Sequence, residues 1–175
     1  PRSLVIPDKE GNLPLHLACS FAPTETVMAI LDAEPNAASQ VNSKTQTPLH
    51  LACNRYDISD QVVTALLQES SSATEQPDWQ DQLPIHKAIT WKAPISVVNT
   101  LLLAYPAGIR KVDKKGLTPY SLARKVIGMT SEDEVLQELH RYRSKVGGIF
   151  LRSQDKFHFA VERILDKRRR TNSIV

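Results

Sequence analysis

One short motif occurs four times along the 175-residue chain at nearly constant spacing. Its clearest copy is Thr47-Pro48-Leu49-His50-Leu51-Ala52-Cys53. The other copies begin at Leu13, Leu83 and Thr118, and the four prolines follow one another at intervals of 34, 36 and 35 residues. A period in this range is typical of proteins built from stacked structural repeats. The motif therefore predicts a solenoid in which each repeat packs mainly on its neighbours.

Each repeat is predicted to contain a turn followed by two helices. An Asp or Asn stands six residues before each motif proline and can start a turn by bonding its own backbone. The proline suits the first position of a helix of about eight residues, where its missing N–H costs little. A second helix follows, with apolar residues at i, i+3 and i+4 on one face. The turn residues are Asp8, Asn42, Asp78 and Asp113, and the stripes are Val27-Ile30-Leu31, Val63-Leu66-Leu67, Val98-Leu101-Leu102 and Leu136-Leu139-His140.

The residue three positions after each turn-starting Asp or Asn is expected to need a positive φ. Two of these residues are Gly11 and Gly116, and glycine adopts a positive φ without strain. Asp81 tolerates that backbone region, but a β-branched residue such as Thr45 does not. The sequence therefore predicts that the turn of the second repeat departs from the geometry of the other turns.

The Thr-Pro-Leu-His core at this period resembles the ankyrin repeat, whose usual length is about 33 residues. The resemblance covers residues 1–144 and implies an all-α solenoid of helix-turn-helix repeats with β-turn fingers and a C-terminal helix. Full repeats are expected at 8–41, 42–77, 78–112 and 113–144, with 1–7 as the end of a preceding repeat. The position of Pro1 and the missing initiator Met lead us to expect further repeats upstream.

Three histidines, His16, His50 and His86, occupy one motif position. A shared zinc ion would need its nitrogen ligands about 2.0–2.1 Å from one centre, whereas successive helices lie about 8–10 Å apart. The resemblance implies instead that each histidine bonds neighbouring backbone and ties adjacent turns together. Cys19 and Cys53 also share one position, and we expect both to be buried and reduced, as in a cytoplasmic or nuclear protein.

The sequence contains no catalytic or cofactor-binding signature. It has no phosphate-binding glycine loop, no glycine-serine nucleophile elbow, no paired cysteines and no HExxH zinc motif. We therefore expect no enzyme activity, cofactor, metal or small-molecule substrate in these residues. No apolar run approaches the roughly 18 residues that a membrane-spanning helix needs.

The resemblance also implies a surface that contacts another protein. Partners of ankyrin proteins usually lie against the turn tips and the inner face of the first helices, and Trp, Tyr and Arg dominate binding hot spots. The candidates at those positions are Phe21, Lys44, Arg55, Tyr56, Trp79, Gln80, Trp91, Lys114 and Lys115. The alternative is that Phe21 and Trp91 cover the core of their repeats and that Trp79 packs on a neighbouring turn.

The charge of the chain is divided between an acidic body and a basic tail. Residues 1–140 hold 12 Lys/Arg against 16 Asp/Glu, and residues 141–175 hold 10 against 3. We expect Gly147-Gly148 to break the chain before a basic segment, 145–175, that contains a helix over 153–169. This helix can cap the last repeat, or the cluster Lys167, Arg168, Arg169 and Arg170 can bind an acidic surface or direct nuclear import. In a third interpretation, Ser173-Ile174-Val175 resembles a PDZ-domain ligand.

The most direct functional hypothesis is a protein-protein interaction module, an adaptor or scaffold segment with a rigid binding face. Two alternatives remain open. The chain can be the regulatory ankyrin domain of a larger enzyme or channel, or it can bind nucleic acid or an anionic membrane through its tail. The last alternative predicts binding that weakens steeply with salt.

Overall fold

The computed structural model describes residues 6–126 and 134–149. These residues form eight α-helices and three 3-10 helices. The α-helices are α1 (Pro14–Phe21), α2 (Thr24–Ala33), α3 (Pro48–Ala52), α4 (Asp60–Glu69), α5 (Pro84–Thr90), α6 (Ile95–Ala104), α7 (Pro119–Val126) and α8 (Glu134–Ile149). The 3-10 helices are Pro35–Ser39, Ser71–Thr74 and Pro106–Arg110. The helix predicted over 153–169 and the whole basic cluster lie outside the described residues.

The helices stack in two layers. The first helices of the repeats pack in the order α1, α3, α5 and α7, and the second helices pack in the order α2, α4, α6 and α8. Each first helix begins at a motif proline, as expected for a residue whose missing N–H would be unpaired in that position. This arrangement confirms the predicted all-α solenoid.

The core lies between the two layers and is filled by the predicted apolar stripes. All of the stripe residues from Val63 to Leu139 are buried, and Ile30 of the first stripe is partly exposed. His140 is exposed, which corrects its place in the fourth stripe, and its ring lies 6.1 Å from that of Tyr120. Cys19 and Cys53 are buried and free, as the sequence predicts.

The chain break predicted at Gly147-Gly148 is not present, because α8 continues through both glycines to Ile149. A glycine inside a helix costs about 1 kcal/mol relative to alanine. Each residue added to an existing helix gains a backbone hydrogen bond. We attribute the continuity of this 16-residue helix to that cooperative bonding.

The turn of the second repeat keeps the geometry of the others, so the departure predicted at Thr45 is wrong. Thr45 adopts a φ of 53°, beside 77° at Gly11 and 72° at Gly116. In all four turns the N–H of this residue donates to the carbonyl of the turn-starting Asp or Asn, at 2.8–3.0 Å. Hydrogen bonds from neighbouring turns flank Thr45 and fix its backbone, since Ser43 N–H donates to Glu10 O at 3.0 Å. Thr45 therefore stores local backbone strain.

Replacing Thr45 with Gly is expected to stabilise the fold by about 1 kcal/mol, because glycine adopts a positive φ without the Cβ clash. The Thr45 hydroxyl donates to Lys44 O at 2.8 Å on the surface, where water replaces such a bond at little cost. The matched control is Gly116→Ala, since a Cβ there meets no atom within 4 Å and only the backbone strain changes. Urea unfolding should move the two midpoints in opposite directions, and a lower midpoint for Thr45→Gly would contradict the strain.

Candidate interaction surface

Four turns project from the first helices, and we call them fingers 1 to 4: residues 8–12, 42–46, 78–82 and 113–117. In each finger the first residue donates its N–H to the carbonyl four positions on, at 2.9–3.1 Å. The side-chain oxygen of the same residue accepts two backbone N–H groups within its finger. In finger 3 the Asp78 carboxylate accepts the N–H of Gln80 at 2.8 Å and of Gln82 at 3.0 Å. Each finger is thus closed from inside by one Asp or Asn.

Adjacent fingers are joined by backbone and side-chain hydrogen bonds. Trp79 N–H donates to Lys44 O at 3.1 Å, and Lys114 N–H donates to Gln80 O at 2.9 Å. Beneath the backbone, amide side chains link finger to finger. These links run from Asn42 to Asn12 at 2.8 Å, from Gln46 to Asp78 at 3.5 Å, and from Gln82 to Asp113 at 3.2 Å. The fingers therefore form one continuous ladder rather than four independent loops.

The motif histidines fasten this ladder to the helices. The Nδ1 atom of His50 accepts the N–H of Thr47 at 3.2 Å, so its proton lies on Nε2, which donates to Gln82 O at 3.1 Å. His16 bonds Leu13 and Gln46 in the same way, at 3.1 and 3.0 Å. Burial lowers the pKa of His50 to about 4. His16 and His50 therefore have the structural role that the resemblance implies. His86 accepts the N–H of Leu83 at 3.1 Å, but its buried Nε2 has no hydrogen-bond partner among the described residues, so it does not join the next finger in the same way.

A buried ion pair distinguishes the third repeat. The Lys87 ammonium lies 2.9 Å from Asp78 Oδ2, and both side chains are buried. Burial alone would raise the pKa of the Asp78 carboxyl, but Lys87 and the N–H groups of Gln82 and Gln80 outweigh it and lower that pKa. The equivalent residues of the other repeats are Leu17, Leu51 and Leu122. The sequence analysis did not find this pair, although a lysine at a position otherwise occupied by leucine was visible.

The predicted contact residues include four exposed aromatic side chains. Phe21 is 82% exposed, Tyr56 76%, Trp79 50% and Trp91 42%. Phe21 ends α1, Tyr56 follows α3 and Trp91 follows α5, so these three lie at one end of successive first helices. We call them the aromatic edge. Phe21 is too exposed to cover the core of its repeat, as the alternative interpretation required.

Arg55 is engaged inside the molecule. Its Nη1 donates to Ala22 O at 2.9 Å, and its Nε and Nη2 donate to the Asp57 carboxylate, each at 2.6 Å. These bonds tie the loop after α3 to the end of α1, between Phe21 and Tyr56. The loop that Arg55 holds begins early, because α3 has five residues rather than the expected eight. Arg55 therefore positions the aromatic edge.

The remaining candidates lie on the finger tips. Lys44, Lys114 and Lys115 are exposed, and Gln80 is partly exposed. The Lys114 ammonium donates to the Trp79 carbonyl of the preceding finger. Trp79 thus lies between two fingers that each carry lysine.

The described residues contain no candidate for two other classes of site. No group of three His, Cys, Asp or Glu side chains within these ranges is arranged to hold a metal ion. None of the described helices combines the length and the apolar character needed to cross a membrane.

Comparison with known proteins agrees with this architecture. A family model of ankyrin repeats in three copies matches residues 15–115. An ankyrin repeat-containing protein of Schizosaccharomyces pombe is 29% identical over 116 residues, which cover 66% of this chain and 49% of the relative. The chain therefore spans about half the length of the curated relative that it matches.

Proposed function

The chain belongs to the ankyrin-repeat family, and we propose that it is an adaptor or scaffold segment that binds another protein through its fingers and its aromatic edge. Ankyrin repeats are in general protein-protein interaction modules. The observation that carries the proposal is the exposure of Phe21, Tyr56, Trp79 and Trp91. Exposed aromatic side chains on a folded surface contribute large apolar areas when a partner covers them.

The aromatic edge is held in place before any partner binds. Trp91 N–H donates to Lys87 O at 3.0 Å, and Ala93 N–H closes the end of α5 on Ala88 O at 2.8 Å. Lys92, between them, adopts a φ of 53°. Such a pre-ordered surface loses little conformational entropy on binding, so more of the contact energy becomes affinity.

The aromatic edge and the fingers belong to one surface. Trp91 follows α5 four residues after Lys87, and its N–H still donates to Lys87 O at 3.0 Å, so the two side chains lie on the same side of the helix axis. Because Lys87 reaches Asp78 of finger 3, this side of α5 faces the finger. A partner that covers Trp91 therefore comes within reach of the finger tips.

The other proposals of the sequence analysis receive less support. The free, buried Cys19 and Cys53 agree with an adaptor that works in the cytoplasm or nucleus. Tail-mediated binding depends on Lys167, Arg168, Arg169 and Arg170, which lie outside the described residues. No catalytic role is proposed.

The triple variant Phe21→Ala/Tyr56→Ala/Trp91→Ala is expected to lower partner affinity by about thirtyfold or more, because truncating one hot-spot aromatic often costs about 2 kcal/mol. The measurement is affinity capture from extract of the native cells, followed by titration of the captured protein. The matched control is Gln61→Ala/Glu69→Ala, which removes two exposed side chains of α4 on the opposite layer. Circular dichroism should be unchanged in both. Full capture by the triple variant would contradict the proposed surface.

A further inference from the structure

The finger tips carry more positive than negative charge, although the body of the chain is acidic. The fingers expose four lysines and three carboxylates: Lys9, Lys44, Lys114 and Lys115, and Asp8, Glu10 and Asp81. None of these lysines forms an ion pair with a carboxylate within the described residues. Residues 1–140 together hold 12 Lys/Arg against 16 Asp/Glu. A partner segment that meets the tips therefore gains from carrying negative charge.

The only aromatic side chain among these tips lies between lysine-bearing fingers. Trp79 of finger 3 receives the Lys114 ammonium on its carbonyl and donates its own N–H to Lys44 O at 3.1 Å. Its ring is half exposed. The described tips thus present, in order along the ladder, a cation, an apolar surface and two further cations.

The spacing of the ladder sets the spacing of a complementary ligand. Each finger precedes one first helix, and successive first helices pack on one another. Packed helices lie about 8–10 Å apart, so equivalent tip positions repeat about every 10 Å. An extended peptide advances about 3.3 Å per residue, or three residues per finger.

From this geometry, and resting on the proposed function, we infer that fingers 2 to 4 bind an extended acidic segment of the partner protein. Its pattern is acidic–x–x–apolar–x–x–acidic. The first acidic residue faces Lys44, the apolar residue faces Trp79, and the second acidic residue faces Lys114 and Lys115. Asp81, next to Trp79 on the same tip, repels a carboxylate at the middle position and so favours the apolar residue there.

The backbone of the central fingers supports this assignment independently of charge. Thr45 and Asp81 have φ values of 53° and 58°, where fingers 1 and 4 have Gly11 and Gly116. The β-branched side chain of Thr45 costs stability in this region that glycine would recover, whereas Asp tolerates the region better. Strained positions of this kind cluster at ligand-binding surfaces. Thr45 and Asp81 lie on fingers 2 and 3, two of the three fingers that the inferred segment crosses.

The charge balance favours a protein segment over a nucleic acid. A polyanion would follow the row of lysines but would also meet Glu10, Asp81 and the acidic body. A peptide carries its carboxylates only where the lysines are. Bases can nevertheless stack on an exposed tryptophan, so the experiment below includes a single-stranded oligonucleotide as a competing ligand.

The test uses the full chain and labelled peptides of about ten residues, with fluorescence anisotropy at low and high salt. One peptide has the inferred pattern with Asp, Leu and Asp in a Gly/Ser background. A second has one residue inserted before the Leu, a third has Lys in place of both Asp, and an oligothymidine is the fourth probe. We expect the first peptide to bind about tenfold more tightly than the others, and high salt to weaken it.

Matched protein variants locate the site. Lys44→Gln/Lys115→Gln should weaken the first peptide about tenfold, whereas Lys111→Gln, which removes an exposed lysine outside the fingers, should not. Trp79→Ala should reduce the advantage of the first peptide over the peptide in which one residue is inserted before the Leu.

Equal binding of the inserted or Lys-containing peptide, stronger binding of the oligothymidine, no dependence on Lys44 and Lys115, or no peptide binding at all would each overturn the inference. The capture experiment separates this result from the proposed function. If the triple variant of the aromatic edge loses its partner while acidic peptides show no preference, the acidic segment is wrong and the interaction surface stands.

Discussion

Replacing Asp78 with Ala is expected to lower the free energy of unfolding by about 3–5 kcal/mol, the usual cost of leaving one member of a buried ion pair alone. The Asp78 side chain is fully buried and lies 2.9 Å from the Lys87 ammonium. The same carboxylate accepts the N–H groups of Gln80 and Gln82. The substitution therefore removes the partner of a buried cation, of two backbone donors and of the Gln46 side-chain amide. Urea unfolding followed by circular dichroism measures the loss.

Two further variants separate the charge of Asp78 from its role in the finger. Asp78→Asn keeps the backbone bonds, because Asn42 accepts the N–H of Lys44 at 2.9 Å and of Gln46 at 3.0 Å in the same way in finger 2. Its cost is expected to be smaller, about 2–3 kcal/mol, and to come mainly from Lys87, since the Gln46 amide reaches the same carboxylate only at 3.5 Å. Adding Lys87→Leu should bring stability to within about 1 kcal/mol of the parent, since a buried pair and a well-packed apolar side chain are often equivalent.

The double variant can also contradict the explanation that the unpaired Lys87 ammonium causes the loss of stability. If Asp78→Asn/Lys87→Leu is as unstable as Asp78→Asn, then the unpaired ammonium is not the source of the loss. A cost below about 1 kcal/mol for Asp78→Ala would show that water reaches the pair and that the charges are not desolvated.

The fold was predictable because its determinants are local and repeated. Pro48 and its equivalents begin each first helix, and stripes such as Val63-Leu66-Leu67 specify one buried face of each second helix. The prediction for the turn at Thr45 failed because the determinants there are not local. The φ of Thr45 is imposed by hydrogen bonds between fingers that are far apart in sequence, and these outweigh the local preference of a β-branched residue.

The candidate surface was only partly predictable. The positions of Phe21 at the end of one first helix and of Tyr56 just beyond another indicated a contact surface, and both side chains are exposed. The internal engagement of Arg55 had no sequence signal, because the loop after α3 occurs once and its partner, the Ala22 carbonyl, lies in another repeat. The row of tip lysines was likewise not predictable from local sequence, because these lysines are distant in sequence and become neighbours only when the fingers stack.

Acidification from pH 7 to pH 4 is expected to lower the free energy of unfolding by about 3 kcal/mol through His50 alone. Burial lowers the pKa of this imidazole from 6.5 to about 4 in the folded protein. Between pH 6.5 and pH 4 the imidazole is protonated in the unfolded chain but neutral in the folded chain. The contribution of His50 to the free energy of unfolding is therefore fully present above pH 6.5 and decreases as the pH falls. Each pKa unit corresponds to about 1.4 kcal/mol.

The other buried histidines act in the same direction. Burial also lowers the pKa of His16 and of His86, so the whole protein should lose more than His50 alone accounts for. The finger carboxylates act in a lower range. The pKa values of Asp78 and Asp113 are below 3.8, so their contribution is lost only as the pH falls below that value. The window between pH 6.5 and 4 therefore reports on the histidines.

The variant His50→Gln isolates the contribution of one imidazole. It should be less stable than the parent at pH 7, because the Thr47 N–H and Gln82 O lose a preformed bridge. Its free energy of unfolding should nevertheless change less with pH. Between pH 6.5 and 4 the slope should be smaller by up to about 1.4 kcal/mol per pH unit, which corresponds to the uptake of one proton on unfolding. Urea titrations at half-unit intervals of pH measure this slope. An unchanged slope in His50→Gln would mean that His50 is protonated in the folded protein, and its Nδ1 could not then accept the Thr47 N–H.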